Sequence, residues 1–349
     1  MVRHDGDPEN LAEIEHLRVF SDGQETTFQE LVGDQRVDLR FGSDADGELY
    51  LISKANGKIW QVTGARRVGA SSPVVLPELA GNVAAHYDFD HPVAGSTTWE
   101  ADQGWSGTNI QLVNGGVEMR VADRAYPGAG EALQTQQMSP LTASNDDWKA
   151  GVYDPAGVDS LGAFAGAEEI SVMGWFKPTG EHPALNSGTA NPDDRYNAIG
   201  LAGVLTGTSD GHAVRALLEV ITVGDELKLV ALGRRVDGAG SWTFAADLPW
   251  DQILERNRWV HLAATFDFAG GEMKLYMNGE ELEGEYTASN PWGAGATSPT
   301  DPAGLKIGGS FPQDTREANP CSCSMDTLQL FDRAATAREV AQQYRLMNR

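Results

Sequence analysis

An all-β fold is predicted for most of this chain: a two-sheet antiparallel jelly-roll sandwich with a short C-terminal helix, preceded by a small N-terminal β-meander. Three observations predict it. Short apolar stretches recur between Gly, Asp and Asn turns at 170–177, 214–223, 227–234, 259–267, 272–277, 305–308 and 326–331. Forty Gly and sixteen Pro are spread through 349 residues, which suits many short strands and tight turns. Helical periodicity is nearly confined to Thr336–Leu346, opened by a Thr cap with Glu339 three residues on. Many strands with one terminal helix make a sandwich the economical architecture.

The N-terminal elements come first in the chain. Residues 1–64 read as a meander with strands at 17–20, 27–31, 37–41, 49–53 and 59–63, the last two joined by Lys54-Ala-Asn-Gly, a hairpin signal. Asp44-Ala-Asp-Gly before them reads as an Asx-rich turn, since the distal Glu of a calcium loop is missing. Residues 65–83 carry Pro, Ser and Gly without a period and read as a linker. Residues 84–349 make the jelly roll. Its two long insertions, 179–197 and 288–302, exceed the length of a turn and are the loops expected to serve binding.

Charge excludes several functions. Fifty acidic against twenty-six basic residues give a net charge of −24, which repels nucleic acid and anionic membrane and favours cations. No apolar run reaches the eighteen or so residues that a membrane span needs. The start, Met1-Val-Arg-His-Asp, has no apolar export signal, so an extracellular or periplasmic location is expected only as part of a longer exported chain. Cys321 and Cys323 are too few for a structural zinc site; a local bridge and free thiols both stay open.

Two resemblances follow from blocks of sequence. Tyr87-Asp-Phe-Asp, Glu169-Ile-Ser-Val-Met-Gly-Trp-Phe-Lys-Pro, Asn257-Arg-Trp-Val-His-Leu-Ala-Ala-Thr-Phe-Asp, Lys274-Leu-Tyr-Met-Asn-Gly, Leu305-Lys-Ile-Gly-Gly and Met325-Asp-Thr-Leu-Gln-Leu-Phe-Asp-Arg-Ala occur in the order of a laminin-G/pentraxin-like domain of the concanavalin A-like jelly rolls. That resemblance implies a module that binds glycans or proteins, often with calcium; some fold relatives are glycanases or polysaccharide lyases. Val37-Asp-Leu-Arg-Phe-Gly, Asp44-Ala-Asp-Gly-Glu-Leu-Tyr-Leu and Asn56-Gly-Lys-Ile-Trp-Gln-Val-Thr resemble the closing propeller blade of glucose/sorbosone dehydrogenases that use pyrroloquinoline quinone. One blade cannot enclose a cofactor, so that activity does not carry over.

The jelly-roll resemblance also implies a calcium tying the first strand to the last, with Asp90 or Asp88 and Asp326 supplying hard oxygen ligands. Strict alternation puts Arg215 and Glu219 on one face of their strand, where with Arg234 or Arg235 they would form a polar groove on the concave sheet for sugar hydroxyls or uronate carboxylates. Trp292, in the second insertion, can stack on a sugar ring. His261, between Trp259 and Ala263, reads as a structural histidine. Asp147-Trp-Lys-Ala-Gly-Val-Tyr-Asp resembles a segment of one alginate-lyase family whose companion motifs are absent here. A lyase or glycoside hydrolase on the concave face would draw on Arg215, Tyr153 and His212. No Glu-x-Asp-x-x-Glu run sets two carboxylates on one strand face. The leading expectation is a non-catalytic, calcium-stabilised glycan-binding module, with a polysaccharide-cleaving enzyme and a protein adhesion module as alternatives.

Overall fold

The computed structural model describes residues 19–21, 24–44, 49–62, 74–139, 144–180, 199–206, 214–234, 241–287, 301–309, 312 and 319–348. His212, Trp292, Arg235 and the side chain of Arg234 lie outside the described set, as does most of both insertions. The chain divides into two units, residues 1–67 and 68–349.

In the first unit, β1 (Val19–Ser21) pairs with β2 (Gln24–Thr26). The strand expected at 27–31 is instead a short helix, α1 (Phe28–Val32). Its cause was legible. The Thr27 hydroxyl accepts from the Glu30 amide at 3.1 Å and the Glu30 carboxylate accepts from the Thr27 amide at 2.9 Å, a reciprocal cap that satisfies two otherwise orphaned donors. β3 (Leu39–Ser43), β4 (Leu49–Ser53) and β5 (Ile59–Gln61) form an antiparallel meander that aligns Phe41, Leu51 and Trp60.

The second unit is the predicted sandwich. A short helix α2 (Pro77–Ala80) precedes β6 (Val83–Tyr87), β7 (Trp99–Glu100), β8 (Ile110–Val113), β9 (Arg120–Val121), β10 (Ala132–Gln134) and β11 (Lys149–Tyr153). Long strands follow: β12 (Glu169–Pro178), β13 (Ile199–Thr206), β14 (Val214–Val223), β15 (Glu226–Arg234) and β16 (Ser241–Ala246). Beyond α3 (Trp250–Ile253) come β17 (Val260–Asp267), β18 (Glu272–Met277), β19 (Glu280–Leu282), β20 (Gly284–Tyr286), β21 (Pro302–Ile307), β22 (Cys323–Phe331) and α4 (Ala337–Met347). One sheet runs β20-β16-β15-β14-β13-β21-β11-β8-β7; the other runs β19-β18-β17-β12-β22-β10-β9, with β6 also on β22. Their facing side chains, among them Tyr87, Phe176, Leu218, Leu262 and Leu328, form one continuous core. Burying such side chains stabilises each by roughly 1.5–3 kcal/mol, the term that sets alternate residues inward.

The stretch read as a linker is partly core. Val75, Leu76 and the fully buried Leu79 pack with Met173, Ala263, Tyr276 and Val340 on the outer face of the β22 sheet, beneath α4. Gln343 of α4 accepts from the Leu76 amide at 2.7 Å and donates to the Val74 carbonyl. Apolar spacing over Val74, Val75, Leu76 and Leu79 carried this packing, and Pro and Ser nearby masked it. Cys321 and Cys323 are disulfide-bonded, with Cα atoms 5.3 Å apart.

β21 is gripped between β11 and β13, with Lys306 opposite both Gly151 and Gly203. The approach leaves no room for side chains at its start: a Cβ at Gly304 would lie 2.0 Å from the Val152 carbonyl oxygen. Gly304→Ala is therefore expected to cost about 3 kcal/mol in urea unfolding, because backbone rather than a flexible side chain must move. A loss below 1 kcal/mol would mean that the two strands part easily.

Candidate functional site

β22 carries β12 along one edge, while β6 and β10 share the other: β6 pairs with residues 328–331 and β10 with residues 324–325. Asp326 falls where these two strands part. It is 1 % exposed, its Oδ1 accepts from the Thr327 hydroxyl at 3.0 Å, and its Oδ2 has no hydrogen-bond partner. Burial pushes this carboxyl up to about 8, against the Thr327 hydrogen bonds, and the negative charges of Asp90 and Asp88 push in the same direction. Tyr126 meets Thr327 hydroxyl to hydroxyl at 3.0 Å, and its own ionisation is raised first by burial and then by Asp326, Asp88 and Asp90.

Backbone strain collects at the same place. Phe89 has φ 60° and Thr327 φ 48°, left-handed conformations that an aromatic and a β-branched residue rarely adopt. Asp90 accepts from the Glu131 amide at 2.7 Å, and Gly130 lies so close that a Cβ there would stand 2.1 Å from Asp90 Oδ1. An orphaned buried carboxylate oxygen near further negative charge is a donor set suited to a hard dication such as calcium.

The expected trio of ligands is not gathered as read. Asp88 is drawn aside: its Oδ1 stands 2.8 Å from His91 Nδ1 and accepts from the Asp90 amide at 3.2 Å. It converges with His91 and Glu100 instead. The reason is the left-handed Phe89, which breaks the alternation on which the shared face of Asp88 and Asp90 rested.

On the outer face of the nine-stranded sheet, Glu219 Oε2 accepts from the Asn319 amide at 3.1 Å and pairs with Lys306 Nζ at 3.5 Å, all three side chains being buried. Lys149, Gly151 and Tyr153 alternate along β11, and the register Gly151–Lys306 puts them on this face. Tyr153 packs there against Leu205, Leu217 and Leu232.

Arg215 does not join them. Its guanidinium lies 3.9 Å from the centre of the Phe268 ring and donates to the Ala167 carbonyl, groups of the core between the sheets. Ladder pairs Val204–Ala216 and Leu205–Val214 bracket a bulge that leaves Arg215 unpaired, so one extra residue turns it to the opposite side from Glu219. Arg215 Nε and Nη1 have no partner, and burial lowers its ionisation to about 10. Of the residues expected of an enzyme, Tyr153 faces outward and Arg215 faces the core, so these two are not brought together; His212 lies outside the described residues. His261 is fully buried under α4 beside Trp175 and Tyr344, with neither ring nitrogen hydrogen-bonded.

Sequence reading missed Lys306, Asn319, His91 and Glu100. A lysine inside the apolar run Pro302–Ile307 was a signal for the first. Nothing local marks the others, since Asn319 reaches Glu219 across 100 residues and His91 meets Glu100 only through chain pairing.

Comparison with known proteins accords with this architecture. A search of curated proteins finds no match. Among solved structures, the chain is similar to the binding domain of Paraclostridial Mosquitocidal Protein 1, at 14% identity and TM-score 0.45, over 75% of this chain and 52% of that one. It is similar to the botulinum neurotoxin type G receptor-binding domain, at 12% identity and TM-score 0.45, over 76% and 51%. A third is a botulinum neurotoxin type C structure, whose cell entry depends on two ganglioside molecules, at 12% identity and TM-score 0.42, over 78% and 53%. The chain thus spans about half the length of these structures. The dehydrogenase-blade resemblance of residues 37–63 finds no support in these comparisons. A family profile described as the concanavalin A-like lectin/glucanases superfamily, Laminin_G_3, matches residues 151–341. With more than half of its length matched by that profile, the chain belongs to the Laminin_G_3 family of the concanavalin A-like lectin/glucanases superfamily.

Proposed function

We propose that the protein is a non-catalytic glycan-binding module of an exported chain, with calcium at Asp90 and Asp326 holding the first and last strands of the sandwich together. The observation that carries the reading is the Glu219–Lys306–Asn319 network on the outer face of the nine-stranded sheet. A carboxylate beside an ammonium and an amide offers one acceptor and two kinds of donor, the complement of a pair of neighbouring sugar hydroxyls. Hydrolysis would ask for a second carboxylate facing Glu219 across the scissile bond; among the described residues a lysine and an asparagine contact it. The disulfide and the absence, among the described residues, of a helix long and apolar enough to cross a membrane are compatible with an oxidising, extracytoplasmic setting.

A glycan array probed with calcium present tests the reading. Retention of one glycan class by the wild type, weakened about tenfold or more in Glu219→Gln at a temperature where the variant is still folded, is the expected outcome. Such a loss equals roughly 1.4 kcal/mol, the size of one charge-assisted hydrogen bond. An array at background throughout would sink the proposal. Shortening of the bound glycan, or an unsaturated product absorbing in the ultraviolet, would replace it with an enzyme; Tyr153 would then be the first residue to change.

A further inference from the structure

We propose that Asp88, His91 and Glu100 form a second metal site, with ligands other than Asp90 and Asp326, that takes a borderline transition-metal dication of the zinc class. One ligand atom from each of these three side chains lies within 4.8 Å of the others. Only a small closing movement is needed to reach the roughly 2.0–2.2 Å bonds that zinc makes to nitrogen and oxygen.

The arrangement is held from outside. His91 and Glu100 face each other across a paired segment: Pro92 bridges Glu100, and the Ala101 amide donates to the His91 carbonyl at 2.8 Å. The Glu100 side chain is fully buried, accepts from the His91 amide at 3.0 Å, and forms an ion pair with Arg120. Arg120 is itself anchored, donating to the Phe89 and Trp99 carbonyls at 3.1 and 3.2 Å. Outer partners of this kind fix the orientation of a ligating carboxylate.

A separate observation points to a ligand. His86 is 2 % exposed and its Nε2 has no hydrogen-bond partner. A buried nitrogen left without a partner is destabilising. The ring lies close enough to Asp88 and His91 for their charges to reach it. An imidazole beside two carboxylates suits a zinc-class ion, whereas calcium takes oxygen ligands throughout. The inference does not rest on the glycan reading.

The experiment uses the full chain, stripped with EDTA and then saturated with calcium chloride so that any all-oxygen site is filled. Zinc chloride is titrated in by calorimetry, and cobalt(II) chloride is followed by visible absorption. One equivalent of zinc is expected to bind with calcium present, and cobalt is expected to give an intense band of low coordination number. His91→Ala, at a side chain 52 % exposed and so without cost to the fold, should weaken zinc about tenfold or more and erase the band. Asp251→Asn, at an exposed acid of α3, should leave zinc binding unchanged. Absence of stoichiometric zinc binding, or equal affinity in wild type and His91→Ala, overturns the site.

Discussion

Calcium is expected to raise the melting temperature of the wild-type chain over that in EDTA, and Asp326→Asn to abolish the rise. A ligand that binds only the folded state and stands at a hundredfold excess over its Kd adds about 2.7 kcal/mol of stability. For a unit of this size that is roughly 5–10 °C. The argument starts from Asp326, whose carboxyl is buried with one oxygen unpartnered and under the field of Asp88 and Asp90. A dication there would relieve both the orphaned acceptor and the repulsion, and would bind across the point where β6 and β10 separate on β22. Asparagine keeps an acceptor for the Thr327 hydroxyl and carries no charge. The variant should therefore equal or exceed the wild type in EDTA and show no response to calcium. Left-handed Phe89 and Thr327 fit the same account, since strain persists where surrounding structure dictates it. A wild type whose melting curve is identical in calcium and EDTA would remove the cation from the fork.

The second large effect is acid sensitivity through His261. Its ring is fully buried, neither nitrogen is hydrogen-bonded, and burial pushes it down from 6.5 to about 3. The sign follows from proton counts. Between these two values the unfolded chain binds a proton that the folded chain refuses, so stability is complete above about 6.5 and is lost as pH falls towards about 3. At about 1.4 kcal/mol per pKa unit the loss amounts to several kcal/mol. His86, pushed down to about 4 mainly by burial, adds to the same window. His261→Phe keeps a ring against Trp175 and Tyr344 and removes two unsatisfied nitrogens. It should gain about 1–2 kcal/mol at neutral pH and show a shallower decline in acid. Urea unfolding at several pH values checks this; an unchanged slope in the variant would place the titration elsewhere.

Local and periodic features of this molecule could be read from its residues. Alternation along Ile170–Lys177 and Val214–Val223 predicted strands that the structure has at Glu169–Pro178 and Val214–Val223, and the Thr336–Glu339 cap predicted the start of α4. The same logic would have found α1 from Thr27 and Glu30, had the capping pair been weighed above the β-branched and aromatic residues around it. The order of sequence blocks placed Asp326 on the last strand, where the structure has it, and Asp90 on the first, which the structure ends at Tyr87.

The sequence by itself determined the all-β class, the net negative charge and most of the strands, because strand propensity, turn chemistry and charge are properties of neighbours in the chain. Tertiary structure alone decided which side chains meet. A bulge at Arg215 reversed its face, a left-handed Phe89 took Asp88 from Asp90 and gave it to His91, and Asn319 came to Glu219 from a distant segment. Side-chain direction in a strand has a period of two, so one irregular residue inverts everything after it, and such irregularities are set by packing between sheets rather than by the local sequence.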